Sequence, residues 1–197
     1  MSRPASAPRW SKVSLRDDEG GVSRLGVATN LHTRQPTSGA SKSRSPRSRY
    51  RWQPPYSEEE AERLVAARMA RKSIFERSPA PALSFVLEEA TPRRPVGGTM
   101  VWRQQLEHLL EVGRLRNVTL QVMPTSAGGH PGLDGRIEVL KFADGTAAGR
   151  SDGAFSGRPT FDPKQLRILE LRYGAIRAQA LTPRESLAFI EQVLGET

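Results

Sequence analysis

Residues 99–124 read TMVWRQQLEHLLEVGRLRNVTLQVMP, and the spacing of their apolar residues changes partway along. The first part has apolar or small residues at steps of three and four, namely Trp102, Leu106, Leu109, Leu110 and Gly113. This spacing predicts a helix from about Thr99 to Val112 that ends at Gly113. After Asn117 the apolar residues alternate with polar ones, at Val118, Leu120 and Val122. A period of two predicts a strand over 118–123, which Pro124 closes.

The segment before this helix contains a second helix and a second strand. Ser57 followed by Glu60 is a capping-box pattern, and it predicts a helix from Glu58 to about Phe75. Two prolines end that helix, and residues 83–87 (LSFVL) form a short apolar run that is typical of a buried strand.

The segment after residue 124 ends in two helices. Residues 137–142 (IEVLKF) predict another strand, which could pair with 118–123. The glycine-rich residues 143–161 allow at most a weak edge strand. Asp162-Pro163 and Thr182-Pro183 are each followed by a Gln or Glu that completes a helix-start signal, so the chain is predicted to end in a helical hairpin.

These elements predict an α+β fold with two divisions of the chain. A small, mainly antiparallel or mixed sheet is expected to pack with four to five helices over residues 56–197. Residues 1–55 alternate Ser, Arg, Pro and Gly without periodicity, and we interpret them as a disordered basic tail.

The tail carries nearly all of the net charge. Eleven Lys/Arg and three Asp/Glu in residues 1–55 account for +8 of the formal +9, so the remainder is close to neutral. Its densest stretch contains four arginines that are candidates for non-specific nucleic-acid contact: Arg44, Arg47, Arg49 and Arg51. The alternatives are a solvated tail with no partner and a stretch that is not natural coding sequence.

Composition also excludes several classes of protein. The chain has no cysteine, which excludes disulfides, thiolate metal sites and a cysteine nucleophile. Its three histidines lie far apart in sequence, and we expect neither a metal nor a cofactor. No secretory signal or membrane-spanning stretch is recognisable, so the expected location is the cytoplasm.

A loop before the Thr99 helix is the first candidate site. Arg93, Arg94, Gly97 and Gly98 place two guanidinium groups and a flexible turn near a helix N-terminus, an arrangement that favours anions. The structural alternative, which we favour, is that the arginines pair with carboxylates such as Glu88 or Glu89.

The second candidate is the loop GGHPGLDG at 128–135. His130 and Asp134 there could act as an acid/base pair or line a ligand pocket. Glycine, proline and aspartate are also the residues that turns require, and neither a nucleophile nor a third orienting group is identifiable nearby. We therefore expect no enzyme, and a small enzyme or ligand-binding domain built on this loop is the rival hypothesis.

Several blocks of sequence resemble a known family. They are AARMARKSIFER, LSFVLEEATPRRPVGG, QLEHLLEVGRLRNVTLQVMPTSAGGHPGLDG and DPKQLRILELRYGAIRAQALTPRESLAFIEQVLGE, which together cover roughly Tyr56 to Glu196. They resemble an actinobacterial domain of unknown function that usually follows an Xre-type helix-turn-helix in antitoxin-like transcriptional regulators.

The resemblance implies a regulatory, partner-binding domain. Family members are often encoded beside a small partner protein, so such a protein is the expected partner; DNA is expected only indirectly or non-specifically, and a homodimer is left open. Two features depart from the family: the DNA-binding helices and the segment that normally follows them are not recognisable, and the Gly/Ser-rich residues 146–156 replace an expected strand.

Overall fold

The computed structural model describes Ser23–Val27 and residues 57–197 of the chain. The strands in this described part are β1 (Ser23–Val27), β2 (Leu83–Glu88), β3 (Val118–Met123), β4 (Ile137–Lys141) and β5 (Ala147–Ser151). Its α-helices are α1 (Glu58–Ala70), α2 (Ala90–Arg93), α3 (Thr99–Gly113), α4 (Pro163–Gln179) and α5 (Pro183–Gly195). Short 3-10 helices follow α1 at Arg71–Glu76 and occupy Thr125–Ala127, Pro131–Asp134 and Phe155–Gly157. The predicted mixed α+β fold is confirmed.

The strands form one mixed sheet in the order β3-β2-β1-β4-β5. The first three strands in that order are parallel, whereas β4 is antiparallel to both β1 and β5. The helix α3 links β2 to its parallel neighbour β3, which is the usual crossover for parallel strands. The predicted strands at 118–123 and 137–142 both exist, but they do not pair, because β2 and β1 lie between them.

Residues 1–55 were predicted to be a disordered tail, and the structure describes five of them, Ser23–Val27. These five residues form β1, the middle strand of the sheet, and pair with β2 on one side and β4 on the other. β1 therefore precedes the boundary predicted at residue 55. Its pairing with strands on both sides is not recorded by any local pattern in the sequence. The rest of the predicted tail lies outside the described residues.

The weak edge strand expected within 143–161 is confirmed as β5, at one edge of the sheet. The Gly/Ser-rich segment therefore supplies a strand after β4 and does not replace one. On its outer side, the amides of Gly149 and Thr160 each donate to the other residue's carbonyl, at 2.9 and 2.7 Å. This exchange occupies the middle of an edge that would otherwise be open.

Helices cover both faces of the sheet. On one face, Leu169, Tyr173 and Ile176 of α4 pack against Val86 and Val139. On the other face, α3 and α5 pack against residues of β2 and β3. This second cluster comprises Leu87, Leu106, Leu109, Leu110, Leu120, Val122, Ile190 and Val193. Adjacent residues of a strand point to opposite faces, so the two clusters are separated by the sheet itself.

The two C-terminal helices predicted from their start signals are confirmed, and the structure adds that they lie on opposite faces of the sheet. Asp162 and Thr182 accept from the amides of Gln165 and Glu185, as the sequence predicts. The chain crosses the β3 edge between the helices, where Ala180 packs on one cluster and Leu181 on the other.

None of the described side chains of the helix α1 is buried. The capping box is confirmed, because Ser57 and Glu60 exchange backbone-to-side-chain hydrogen bonds of 3.0 and 3.1 Å. The α-helix ends at Ala70, and the predicted continuation to Phe75 is a 3-10 helix, in which Ile74 is the buried residue. No helix in the described part of the chain is long and apolar enough to cross a membrane.

Candidate functional site

The strand β2 ends in two consecutive carboxylates that reach in different directions. Glu88 Oε1 lies 3.2 Å from His130 Nε2. Glu89 accepts from Arg93 Nε at 2.9 Å and from the Thr125 amide at 2.8 Å. The carboxyl end of β2 therefore brings together the arginine loop and the histidine loop, which are separated by more than thirty residues in sequence.

The imidazole of His130 is enclosed and uses both of its nitrogens. Its side chain is only 2% exposed. Nδ1 accepts a hydrogen bond from the Gly132 amide at 3.1 Å, so the proton of the neutral ring lies on Nε2, which faces Glu88. The ring is thus held at two points between the end of β2 and its own loop.

Asp134 is not the partner of this histidine. Its side chain is exposed, and no hydrogen bond or ion pair joins it to His130 within residues 57–197. A Cβ placed on Gly153 would collide with the Asp134 carbonyl, so the backbone around Asp134 packs tightly on the loop after β5. This close contact is made by the backbone of Asp134 and not by its carboxylate. The acid/base pair of the sequence hypothesis is therefore not assembled.

The arginine loop is also held by contacts within the chain. Besides Glu89, Arg93 approaches Glu196 at 3.5 Å, and its guanidinium lies 4.8 Å from the centre of the Phe189 ring. These contacts tie α2 to the C-terminal helix α5. The pairing with Glu89 matches the structural interpretation of this loop.

The neighbouring residues of the loop have different roles. Arg94 is exposed and forms no ion pair among residues 57–197. Gly97 and Gly98 have φ angles of 93° and 92°, in the left-handed region that favours glycine. Gly98 caps α3 without a side-chain hydrogen bond, while the indole of Trp102 donates to the Pro92 carbonyl at 2.7 Å. The two glycines are therefore required by the turn.

The pKa of the Glu89 carboxyl lies below its ordinary value. The Thr125 amide and the Arg93 guanidinium lower the pKa of this carboxyl, because both stabilise its charged form. No group of three or more metal-ligating side chains occurs among the described residues.

A family model described as Domain of unknown function (DUF5753) matches residues 47–192. The chain belongs to this family. Comparison with curated proteins and with solved structures found no match.

The extent of the DUF5753 match agrees with the resemblance seen in the sequence and adds a boundary. It begins at residue 47, so both candidate loops and all five helices lie within or overlap it, while β1 at Ser23–Val27 lies outside it. The sheet of this DUF5753 domain therefore includes a strand from sequence that precedes the matched region.

Sequence reasoning missed Glu88 as the partner of His130. It named Glu88 only as a candidate partner for the arginines, since nothing in a linear sequence indicates which carboxylate faces a loop forty residues away. A second contact without a local signal is made by the buried Tyr173, whose hydroxyl donates to Ser84 Oγ at 2.7 Å on the same face of the sheet as α4. Burial raises the pKa of Tyr173, so its hydroxyl keeps the proton that it donates. The four tail arginines, Arg44, Arg47, Arg49 and Arg51, lie outside the described residues.

Proposed function

We propose that this chain is the regulatory, partner-binding domain of an antitoxin-like transcriptional regulator of the Xre type, located in the cytoplasm, and that it acts by protein contact and not by catalysis. The observation that carries this proposal is the engagement of His130. Both ring nitrogens are used within the chain and the side chain is almost fully enclosed.

A general base must reach the proton that it abstracts, directly or through one water. His130 meets Glu88 and Gly132 instead, and Arg93 meets Glu89. These polar groups stabilise the loops at the carboxyl end of β2. Among the described residues, the outer surface of the helices then remains for contact with another protein.

The proposal is tested by co-expressing the full chain with each protein encoded by the genes that flank its own. We expect one small protein to form a stoichiometric complex, measured by size-exclusion chromatography with light scattering and then by titration calorimetry. An unrelated small protein of similar net charge is the control for non-specific attraction to a basic chain. If no flanking gene product binds, the proposed function is wrong.

The rival enzyme hypothesis makes a different prediction for His130→Ala. A catalytic role requires that the variant fold as stably as the parent chain while a turnover is lost. Our proposal expects a loss of stability, because the substitution leaves the Gly132 amide and the Glu88 carboxylate without their partner. Urea denaturation of the two proteins separates these outcomes.

A further inference from the structure

The outer face of α4 carries an apolar stripe that nothing among the described residues covers. The helix buries Leu166, Leu169, Tyr173 and Ile176 against the sheet. On the opposite face, Ile168 is 41% exposed and Leu171 is 66% exposed. Exposed alanines at 175 and 178 continue this line at steps of four and three. The stripe has the heptad-like spacing by which one helix packs along another.

Gly174 adds an independent observation at the same place. It lies inside α4, is exposed, and follows Leu171 by three residues, so it adjoins the stripe. A Cβ at this position would meet nothing within 4 Å. Glycine inside a helix is less favourable than alanine, and packing within residues 57–197 does not require it here. Close approach of another backbone does account for a missing side chain at an exposed position.

Cations flank the stripe. Lys164, Arg167 and Arg172 lie along or beside it, and none of them forms an ion pair among residues 57–197. The Arg172 side chain is partly buried, and its Nη1 atom has no hydrogen-bond partner among the described residues. The acidic residue of this helix, Glu170, forms an ion pair with Lys141, in which Oε1 and Nζ lie 2.8 Å apart. The exposed face of α4 is therefore apolar along its middle and positive at its sides.

We infer that this exposed face of α4 docks an amphipathic helix of a partner protein, and that the apolar stripe of that helix is bordered by acidic side chains. The α4 face comprises Lys164, Arg167, Ile168, Leu171, Arg172, Gly174, Ala175 and Ala178. The inference deepens the proposed partner-binding function by giving the surface and the chemistry of the partner. Leucine-type side chains of that helix pack on Ile168 and Leu171, and its backbone approaches Gly174. Its carboxylates face the three unpaired cations.

Two other occupants fit this face less well. A second copy of the chain brings the same cationic borders together, and like charges in contact are unfavourable. Nucleic acid is attracted by the cations, but a phosphate backbone gains nothing from Ile168 and Leu171 between them.

The test uses a synthetic helical peptide of roughly three heptads, with leucine at the a and d positions and glutamate at e and g. Glutamates at those positions also keep the peptide from pairing with itself. Its fluorescence anisotropy is followed as the full chain is added, and a peptide with lysine at e and g is the control. We expect the acidic peptide to bind, more weakly as salt is raised, and the lysine peptide not to bind.

Two substitutions locate the binding. Leu171→Glu is expected to weaken affinity for the acidic peptide by at least about tenfold. The matched control Leu133→Glu changes a leucine that is also 66% exposed but lies in the histidine loop, and it should leave the affinity unchanged. Gly174→Ala should raise the melting temperature of the chain and yet weaken the peptide complex. A purely structural glycine would not produce that combination.

The outcomes separate the surface from the function. Equal effects of Leu171→Glu and Leu133→Glu, or no binding of the acidic peptide, overturn the docking inference. Self-association that Leu171→Glu abolishes assigns the face to a second copy and also overturns it. If a flanking gene product binds and Leu171→Glu leaves that affinity unchanged, the partner-binding function stands and the α4 face is wrong. If the peptide binds at α4 while no flanking gene product does, the surface stands and the regulatory function fails.

Discussion

The positions of Gly132 and His130 are coupled by direct contact between their atoms. The Gly132 amide donates to His130 Nδ1, and a Cβ on Gly132 would lie 2.9 Å from that same nitrogen and 3.4 Å from Ile176 Cδ1. The contact with the nitrogen is tighter than a packed interior tolerates, whereas the contact with Ile176 is an ordinary one. Glycine at this position therefore serves the close packing of the histidine ring.

Gly132→Ala is expected to destabilise the chain by about 1–3 kcal/mol, because the added methyl group must displace the ring. Urea denaturation measures the change. Gly129→Ala is the matched control, since a Cβ there meets nothing within 4 Å and that substitution should change stability little. Equal stability of the two variants would show that the ring is not tightly held.

The pKa of Glu89 lies below its ordinary value of 4.5, so the carboxyl stabilises the fold most when it is charged. This contribution is fully present above pH 4.5 and is lost as the pH falls through the lower folded-state pKa. We expect Glu89→Gln to be less stable than the parent chain near neutral pH, and the difference to shrink as the solution is acidified below pH 4.5. Denaturant unfolding across a series of pH values measures it.

A control for Glu89 is the exposed ion pair between Arg114 and Glu191, 2.9 Å apart on the surface. Exposed pairs of this kind contribute little to stability. Glu191→Gln should therefore have a small effect at every pH. A Glu89→Gln deficit that persists unchanged in acid would contradict the role given to the Glu89 charge.

At the scale of elements, the connection between α4 and α5 closes the β3 edge of the sheet. The Val122 amide donates to Ser186 Oγ at 2.9 Å, and the Val122 carbonyl accepts from the Leu181 amide at 2.9 Å. Gln121 Nε2 donates to the Leu181 carbonyl. Unpaired groups on an edge strand invite pairing with other chains, and here Ser186 of α5 and Leu181 of the connection occupy both backbone groups of Val122.

Ser186→Ala is expected to cost about 1–3 kcal/mol, because it leaves the Val122 amide buried without an acceptor. Ser151→Ala is a close control. Ser151 is just as buried, but within the part of the chain that the structure describes its Oγ has no hydrogen-bond partner, so its removal should be neutral or stabilising. The shift in the urea midpoint of unfolding, at constant slope, measures the stability lost by each variant. A Ser151 variant that loses as much stability as the Ser186 variant would count against edge closure as the reason.

At the scale of the whole molecule, charge and fold are distributed differently along the chain. Residues 1–55 hold most of the net positive charge, yet Ser23–Val27 within them is the middle strand of the sheet. Deleting the segment would remove that strand as well as the charge. The tail must therefore be tested by substitution.

We predict that the full chain binds duplex DNA weakly and without regard to sequence, and that replacing Arg44, Arg47, Arg49 and Arg51 by serine largely removes this binding. The slope of log K against log salt should fall by roughly 0.9 for each arginine that contacts a phosphate. Anisotropy titrations with two unrelated duplexes over a range of salt concentrations measure both effects.

The control variant loses four exposed arginines that lie on the folded part of the chain: Arg63, Arg94, Arg116 and Arg158. It has the same net charge as the tail variant and should retain the DNA binding. If both variants lose affinity equally, net charge and not the tail is responsible. A sequence-specific footprint that survives the tail substitutions would contradict the prediction outright.

Most elements were predictable because their signals are local. The starts of α4 and α5 follow from capping side chains three residues apart. The end of α3 was predicted to within one residue, but Gly113 is the last residue of the helix and its lack of a side chain serves close packing on Leu187 and Leu120. β1 was not predictable, since a strand with neighbours on both sides is stabilised by pairing that no local pattern records. The candidate site was found in part: both loops were identified, but the contact of His130 with Glu88, and not with Asp134, was not predicted.

The sequence by itself determined the residues 99–124 helix and strand, the helix-start signals and the family resemblance, because each depends on spacing within a few turns of the chain. Only the tertiary structure decided that Glu88 faces His130, that α4 and α5 lie on opposite faces of the sheet, and that α4 presents a second, exposed apolar stripe. These depend on which distant segments meet. Hydrophobic burial favours contact with any segment of suitable shape, so the packing of the whole chain decides which segments meet.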